Sequence, residues 1–155
     1  MNDRFVIQPI AFVHSQRAEV RDDGWDAVEA SIELVGDFSA DALAGLTEFS
    51  HAEILFVFDR VDEHDVERGA RHPRGNVDWP RVGIFAQRAK NRPNRLGATV
   101  VRVLGVEGRT IRVSGLDAVD GTPVVDIKPV LKEFLPRGDV RQPRWVSELM
   151  GAYWS

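Results

Sequence analysis

Between Val28 and Leu34, apolar residues alternate with polar ones: Val28, Ala30, Ile32 and Leu34 are separated by Glu29, Ser31 and Glu33. Successive side chains of a strand point to opposite faces, so this period-two pattern predicts a strand with one buried face. The run from Phe5 to Val13 reads similarly, but Pro9 cannot donate to a ladder and restricts that segment to an edge position or a bulge. Ser39 is placed to cap a short helix running through Leu46, its hydroxyl accepting from an unpaired amide of the first turn. Ile54-Leu55-Phe56-Val57-Phe58 is continuously apolar, the signature of a central strand buried on both sides. Thr99 to Val106 and Arg109 to Ser114 are β-branched runs joined at Glu107-Gly108, which predicts a hairpin. Val124 to Ile127 adds a short strand, and after Pro143 the residues Trp145, Val146, Leu149, Met150 and Tyr153 recur at the spacing of an amphipathic helix. Many short strands with Gly/Pro turns and little helix predict a mainly β chain: a small closed or nearly closed β-barrel with a few short helices and an amphipathic C-terminal helix. No repeat or linker divides residues 1–155, so a single domain is expected. The polar stretch from Val61 to Pro80 is too long for an ordinary connection, and loops of that kind are usually functional or mobile.

Composition narrows the chemistry. The chain contains no cysteine, which excludes disulfides, thiolate metal sites and cysteine nucleophiles. No apolar run approaches the length of a membrane span, and the start lacks the layout of a signal peptide, so a soluble cytoplasmic protein is expected. The net charge of -4 argues weakly against nonspecific nucleic-acid binding. Its distribution is uneven, however. Asp22, Asp23, Asp26, Glu29, Glu33, Asp37 and Asp41 crowd the first part, whereas Arg68, Arg71, Arg74, Arg81, Arg88, Lys90, Arg92 and Arg95 run with only Asp78 between them. That asymmetry fits either a locally positive face or loop arginines paired with the acidic half.

Two segments carry candidate chemistry. From Gly83 to Gly97 a short apolar strand gives way to cations, amides, proline and glycine. Arginine offers a planar fork for carboxylate or phosphate, Asn94 can donate and accept, and Gly97 permits close approach of a ligand. The segment reads as an anion-binding or ligand-clamping loop, or else as an exposed basic turn. In the second, Ser114 to Pro129, the carboxylates Asp117, Asp120 and Asp126 lack the regular alternation of a calcium loop, and Asp120-Gly121-Thr122-Pro123 is explained by turn chemistry. Asp126 and Lys128 share one side of an extended strand, which favours an ion pair. His14, His51, His64 and His72 form no ligand cluster, so no metal is expected. His51 stands just before the central apolar strand, as either a pocket residue or a structural histidine. Dinucleotide, phosphate-loop and serine-hydrolase motifs are absent.

Taken in order, Gly45-Leu46-Thr47-Glu48-Phe49-Ser50-His51, Ile54 to Phe58, Phe85-Ala86-Gln87-Arg88, Arg92-Pro93-Asn94, Leu116-Asp117 and Asp120 to Pro129 resemble the TrmO or TsaA-like family. These are compact β-barrel methyltransferases that use S-adenosylmethionine and are unrelated to the Rossmann-type enzymes. The resemblance implies a homodimer with the cofactor in a cleft near the subunit boundary. It implies cofactor contacts from His51, Ala52, Arg88, Ala98 and the Ser114-Gly115-Leu116-Asp117 turn, to which the loop reading adds Asn94 and Gly97. It also implies methylation of N6-threonylcarbamoyladenosine beside the tRNA anticodon, with alignment of nitrogen, methyl and sulfur as the main catalytic effect. Asp117, Asp126 and His51 are the candidates for a base. Arg71, Arg74, Arg92, Arg95 and Lys128 are the candidates for contacting the substrate. Family members often have Pro-Asn-Pro-Ile-Gly where this chain has Pro93-Asn94-Arg95-Leu96-Gly97, and Phe-Ala-Thr-Arg where it has Phe85-Ala86-Gln87-Arg88. A small-molecule methyltransferase and a non-catalytic cofactor-binding module remain open as alternatives.

Overall fold

The computed structural model describes residues 3–155. Six strands close into one antiparallel barrel: β1 (Ala11–Ser15), β2 (Glu29–Leu34), β3 (His51–Val57), β6 (Leu96–Glu107), β7 (Thr110–Ser114) and β8 (Pro123–Pro129). Around the barrel the order is β1-β2-β7-β6-β3-β8, with β8 pairing back onto β1. A separate two-stranded sheet joins β4 (Ala70–Arg71) to β5 (Val82–Gly83).

Period-two patterning fills the interior. Ala11, Val13, Ile32, Ala52, Ile54, Phe56, Val101, Ile111, Val113 and Val124 are almost completely buried. Two irregularities keep that parity. In β6 the register against β7 shifts between Val103 and Gly105, so Leu104 is left exposed while Val103 and Val106 both pack on the core. In β8 a shift opposite Leu55/Phe56 passes over Val125, which turns Val124 inward although Asp126 faces outward. An extra residue on one strand moves every following side chain to the other face, and here both insertions preserve an apolar interior.

The expected closed barrel, the hairpin at Glu107-Gly108 and the C-terminal helix α1 (Arg144–Leu149) are present, with Gly108 at φ +58°. Several local expectations need correction. The first strand begins at Ala11, after Pro9, and Phe5 and Val6 are each 90% exposed. The helix after Ser39 is instead two 3₁₀ turns, Ala40–Leu43 and Leu46–Glu48, because Ala44 is extended and Gly45 takes φ +84°. Ser39 does cap the first of them, accepting from the Asp41 amide. Strand β3 is buried on one face only: Ala52, Ile54 and Phe56 point inward, while Glu53, Leu55 and Val57 are half-buried on the outer wall. A barrel strand is buried on both sides only where a second layer covers its outer wall, and the outer face of β3 is only partly covered. The apolar stretch Ile84–Ala86 is a 3₁₀ turn that buries Ile84 and leaves Phe85 78% exposed. The long polar loop contains the β4–β5 pair and a Pro73–Gly75 turn.

Candidate functional site

Strand β7 ends at Ser114, paired with Arg102 on β6. Continuing that antiparallel register three residues along both chains sets Asp117 opposite Thr99. The chain does follow that line: Gly115, at φ +81°, donates its amide to the Val28 carbonyl, Leu116 enters the core, and Thr99 Oγ1 donates to Asp117 Oδ1. One residue earlier on β6, the Ala98 carbonyl accepts from the Arg88 guanidinium. Two adjacent residues of one strand therefore tie the arginine loop to the aspartate turn. Thr99 is buried, whereas Arg88 is exposed and retains free N–H donors.

A third element enters from the C-terminal end. After α1, a 3₁₀ turn Met150–Ala152 delivers Tyr153, whose phenol donates to Asp117 Oδ2. The segment is fixed by three backbone bonds: Gly24, Trp25 and Asp26 donate their amides to the carbonyls of Ala152, Tyr153 and Trp154. Trp25 is 3% exposed and carries Arg17 over its ring at 4.3 Å. Asp26 in turn binds Arg102 at 2.8 Å, and Trp79 donates to Glu148 on α1 at 2.9 Å. Burial pushes the Tyr153 phenol well above its ordinary value, and the charge of Asp117 and the hydrogen bond to it act in the same direction. Arg88 and Arg74 oppose that rise, which places both cations within electrostatic reach of the Asp117–Tyr153 pair.

The arginine loop is built around Gln87, which is 8% exposed. Its side-chain amide donates to the carbonyls of Val82 (2.9 Å) and Arg71 (3.2 Å), tying β5 to β4, and the Arg92 guanidinium caps the Gln87 carbonyl at 2.7 Å. Arg71 leans on the Gln87 side-chain oxygen at 3.5 Å. Arg95 donates to the Val61 carbonyl at 2.7 Å, and both it and Asn94 sit at positive φ, +52° and +62°. Arg74 pairs with Asp23 at 3.0 Å. Pairing with the acidic half thus accounts for Arg74 and Arg102, whereas Arg71, Arg92 and Arg95 bind main-chain or amide oxygens. Each keeps further N–H groups for an external anion.

The structure brings Arg88, Ala98 and the Ser114–Asp117 turn together and leaves other candidates elsewhere. Ala52 is fully buried and points into the barrel. The space above Gly97 is filled by the rings of Phe56 and Phe58. His51 lies on the outer wall opposite Arg102, with Nδ1 2.6 Å from Ser50 Oγ. Asp126 also faces outward, opposite Leu55, and binds Lys128 at 2.9 Å. That hydrogen bond and the charge of Asp126 raise the Lys128 ammonium above its ordinary value. Asp120 accepts from the Ser15 amide at 2.9 Å, so the three carboxylates of the second segment serve three separate contacts. Among the described residues no group of His, Asp and Glu could hold a metal ion. Thr99 and Tyr153 had no signal in the sequence as site residues: their partner Asp117 comes from a distant part of the chain.

A closed antiparallel barrel that joins a cationic loop to an aspartate turn lies outside the βαβ nucleotide-binding classes. More particularly, the chain belongs to the TrmO N-terminal-domain family: the model of the tRNA-methyltransferase O N-terminal domain matches residues 12–134. It is 40% identical over 112 residues to the tRNA (adenine(37)-N6)-methyltransferase of Escherichia coli, covering 68% of this chain and 46% of that protein. It is 34% identical over 144 residues to a probable S-adenosyl-L-methionine-binding protein of Pyrococcus abyssi, covering 86% of this chain and 72% of that one. The crystal structure of TrmO from Pseudomonas aeruginosa superposes with a TM-score of 0.72 at 31% identity, covering 89% of this chain and 61% of the other. This chain spans only 21% and 23% of the lengths of the mouse and human tRNA (adenine(37)-N6)-methyltransferases.

Proposed function

We propose that this chain binds S-adenosylmethionine at the Arg88–Asp117 cluster and methylates N6 of threonylcarbamoyladenosine in the anticodon loop of tRNA. The observation that carries the reading is the bridge through Ala98 and Thr99, which anchors a guanidinium and a carboxylate on adjacent residues of one strand in a member of this family. That pair suits the methyl donor's amino-acid end, whose carboxylate matches Arg88 and whose ammonium matches Asp117. When bound, the cofactor supplies a methyl group on sulfonium sulfur, and the nitrogen that accepts it releases a proton. The chain's own contribution is alignment. Thr99 and Tyr153 hold both oxygens of Asp117, and Gln87 with Arg92 fixes the backbone that presents Arg88. Of the candidate bases, Asp126 is paired with Lys128, His51 stands on the outer wall, and Asp117 is engaged by the donor's ammonium in this reading, so alignment carries the reaction.

The same reading assigns tRNA phosphates to the free N–H groups of Arg71, Arg74, Arg92 and Arg95, and a base-stacking surface to Phe85. It also includes a homodimer. Two surface grooves are lined respectively by His14, Glu29 and Arg112 and by Phe38, Leu43 and Phe49; in this reading a second copy walls the cofactor beside Arg88 and Asp117. Val100, Leu104, Phe134 and Leu135 are exposed apolar residues available for that contact. The reading places the reaction in the cytoplasm, where a tRNA acceptor is met; among the described residues no helix is long and apolar enough to cross a membrane. A labelled-methyl assay on tRNA from cells lacking the gene, followed by nucleoside mass analysis, tests the activity; no label in tRNA refutes the tRNA reading. A small-molecule acceptor is the second reading, favoured by the net charge of -4 and the internal engagement of the loop arginines. Label entering a metabolite extract but not tRNA selects it.

A further inference from the structure

The match to the family domain ends at residue 134, yet one oxygen of Asp117 is taken by a side chain well beyond it. Asp117 is held by hydroxyls on both oxygens, Thr99 from inside the barrel and Tyr153 from the C-terminal segment. A carboxylate free on one side rotates about its last bond; one clamped on both oxygens presents its remaining lone pairs in a fixed direction. We infer that Tyr153 is a positioning residue of the methyl-donor site, supplied from outside the family domain to lock the Asp117 carboxylate toward the ligand.

This rests on the reading of the Arg88–Asp117 cluster as the methyl-donor site. The placement of Tyr153 is built from several directions. Three consecutive main-chain bonds from the Gly24–Asp26 loop hold the segment on either side of it, Trp154 packs edge-on against its ring at 4.9 Å, and Glu148 ties the preceding helix to Trp79. The ring is therefore carried by a strap with its own anchors, and only its hydroxyl addresses Asp117. A purely structural tyrosine needs no hydroxyl on that carboxylate, since the backbone bonds already fix the strap.

The test uses the full chain and removes only the oxygen, by Tyr153→Phe. Calorimetry with S-adenosylmethionine and S-adenosylhomocysteine is expected to show affinity about tenfold weaker, the size of one hydrogen bond to a charged group. The KM for the methyl acceptor is expected to stay unchanged. Glu148→Ala loosens the strap at its other anchor without touching Asp117, and is expected to leave methyl-donor affinity as in the wild type. Thr99→Val added to Tyr153→Phe is expected to lose less than the two single losses combined, because both hydroxyls act through one carboxylate. Tyr153 is the only tyrosine, so tyrosinate absorbance reports this phenol alone. Asp117→Asn is expected to bring its ionisation back toward the ordinary phenol value. Wild-type binding that persists undiminished in Tyr153→Phe overturns this inference while sparing the methyl-donor reading. Equal weakening by Tyr153→Phe and Glu148→Ala reduces the tyrosine to a prop and likewise overturns it. No binding by the wild-type chain removes the methyl-donor reading itself and the inference with it.

Discussion

Gly97 is the position at which adding a single methyl group should do most damage for reasons visible in the packing. Its φ lies in the ordinary negative range, so Gly97→Ala introduces no backbone strain and tests sterics alone. A Cβ at this point would stand 2.6 Å from Cε2 and Cζ of Phe56 and 2.9 Å from Cζ of Phe58. Carbon atoms pack best at about 3.5–4.0 Å, so the rings must retreat by roughly 1 Å. Phe56 has nowhere to go: it is 1% exposed and sits edge-on against Phe58, with centroids 5.2 Å apart and planes at 79°. Inserting a methyl into a filled core costs about 1–3 kcal/mol, and the upper half of that range applies where two rings are met at once. For a domain of this size each kcal/mol lowers Tm by roughly 2–4 °C, so a fall of about 5–10 °C is expected in thermal unfolding followed by circular dichroism. Phe56→Leu makes room for the new methyl, so the double variant should be less destabilised than the sum of the singles. A Tm for Gly97→Ala within about 1 °C of the wild type, or strict additivity in the double variant, refutes the packing argument.

Other expectations follow from the site. Arg88→Ala should weaken S-adenosylhomocysteine binding by about 10–100-fold in calorimetry, the cost of one charge-assisted contact, with little change in Tm because Arg88 is exposed. The Tyr153 phenol is raised in the fold, so the folded state holds its proton longer than the unfolded chain does. Its contribution is complete below the ordinary value of 10.0 and is lost progressively as pH rises above it, at no more than about 1.4 kcal/mol per pH unit. Urea unfolding of wild type against Tyr153→Phe across that alkaline range should show the wild type losing the extra increment; parallel curves contradict the assignment. In filter binding, tRNA affinity should fall with rising salt, and replacing Arg92 and Arg71 by Gln should flatten that slope by about one unit each. Phe85→Ala should raise the KM for tRNA by about tenfold, in line with loss of one stacked base, while methyl-donor affinity stays constant.

Much of the architecture was legible because its causes are local. Ala30, Ile32 and Leu34 announce β2 by alternation alone, and Glu107-Gly108 marks the tight β6–β7 hairpin, where Gly108 adopts a positive φ. The ion pair of Asp126 with Lys128 was equally readable, since both project from the same side of one strand. What escaped depends on residues distant in sequence. Gly105 is the one local mark of the register shift at Leu104, since an isolated glycine within a strand admits a bulge, whereas nothing near Val125 signals the shift in β8. Gly97 looked like room for a ligand and proved to be room for Phe56, which lies 41 positions earlier. The departure at Gln87 became interpretable only once its amide was seen joining the carbonyls of Arg71 and Val82. Of the site, Arg88 and Asp117 were found through the resemblance. Thr99 and Tyr153, 18 and 36 residues from Asp117, carry no periodic signature that could have joined them to it.

Because β8 returns to β1, the circle of main-chain pairing has no free rim on which a foreign strand could template itself. Apart from the short β4–β5 pair, which keeps open edges, a neighbour, whether a twin of this molecule or a folded nucleic acid, meets side chains of the outer wall and the loops. Such surfaces can be rewritten residue by residue while the cylinder beneath them stays intact, leaving the choice of companion free to drift independently of the shape that presents it.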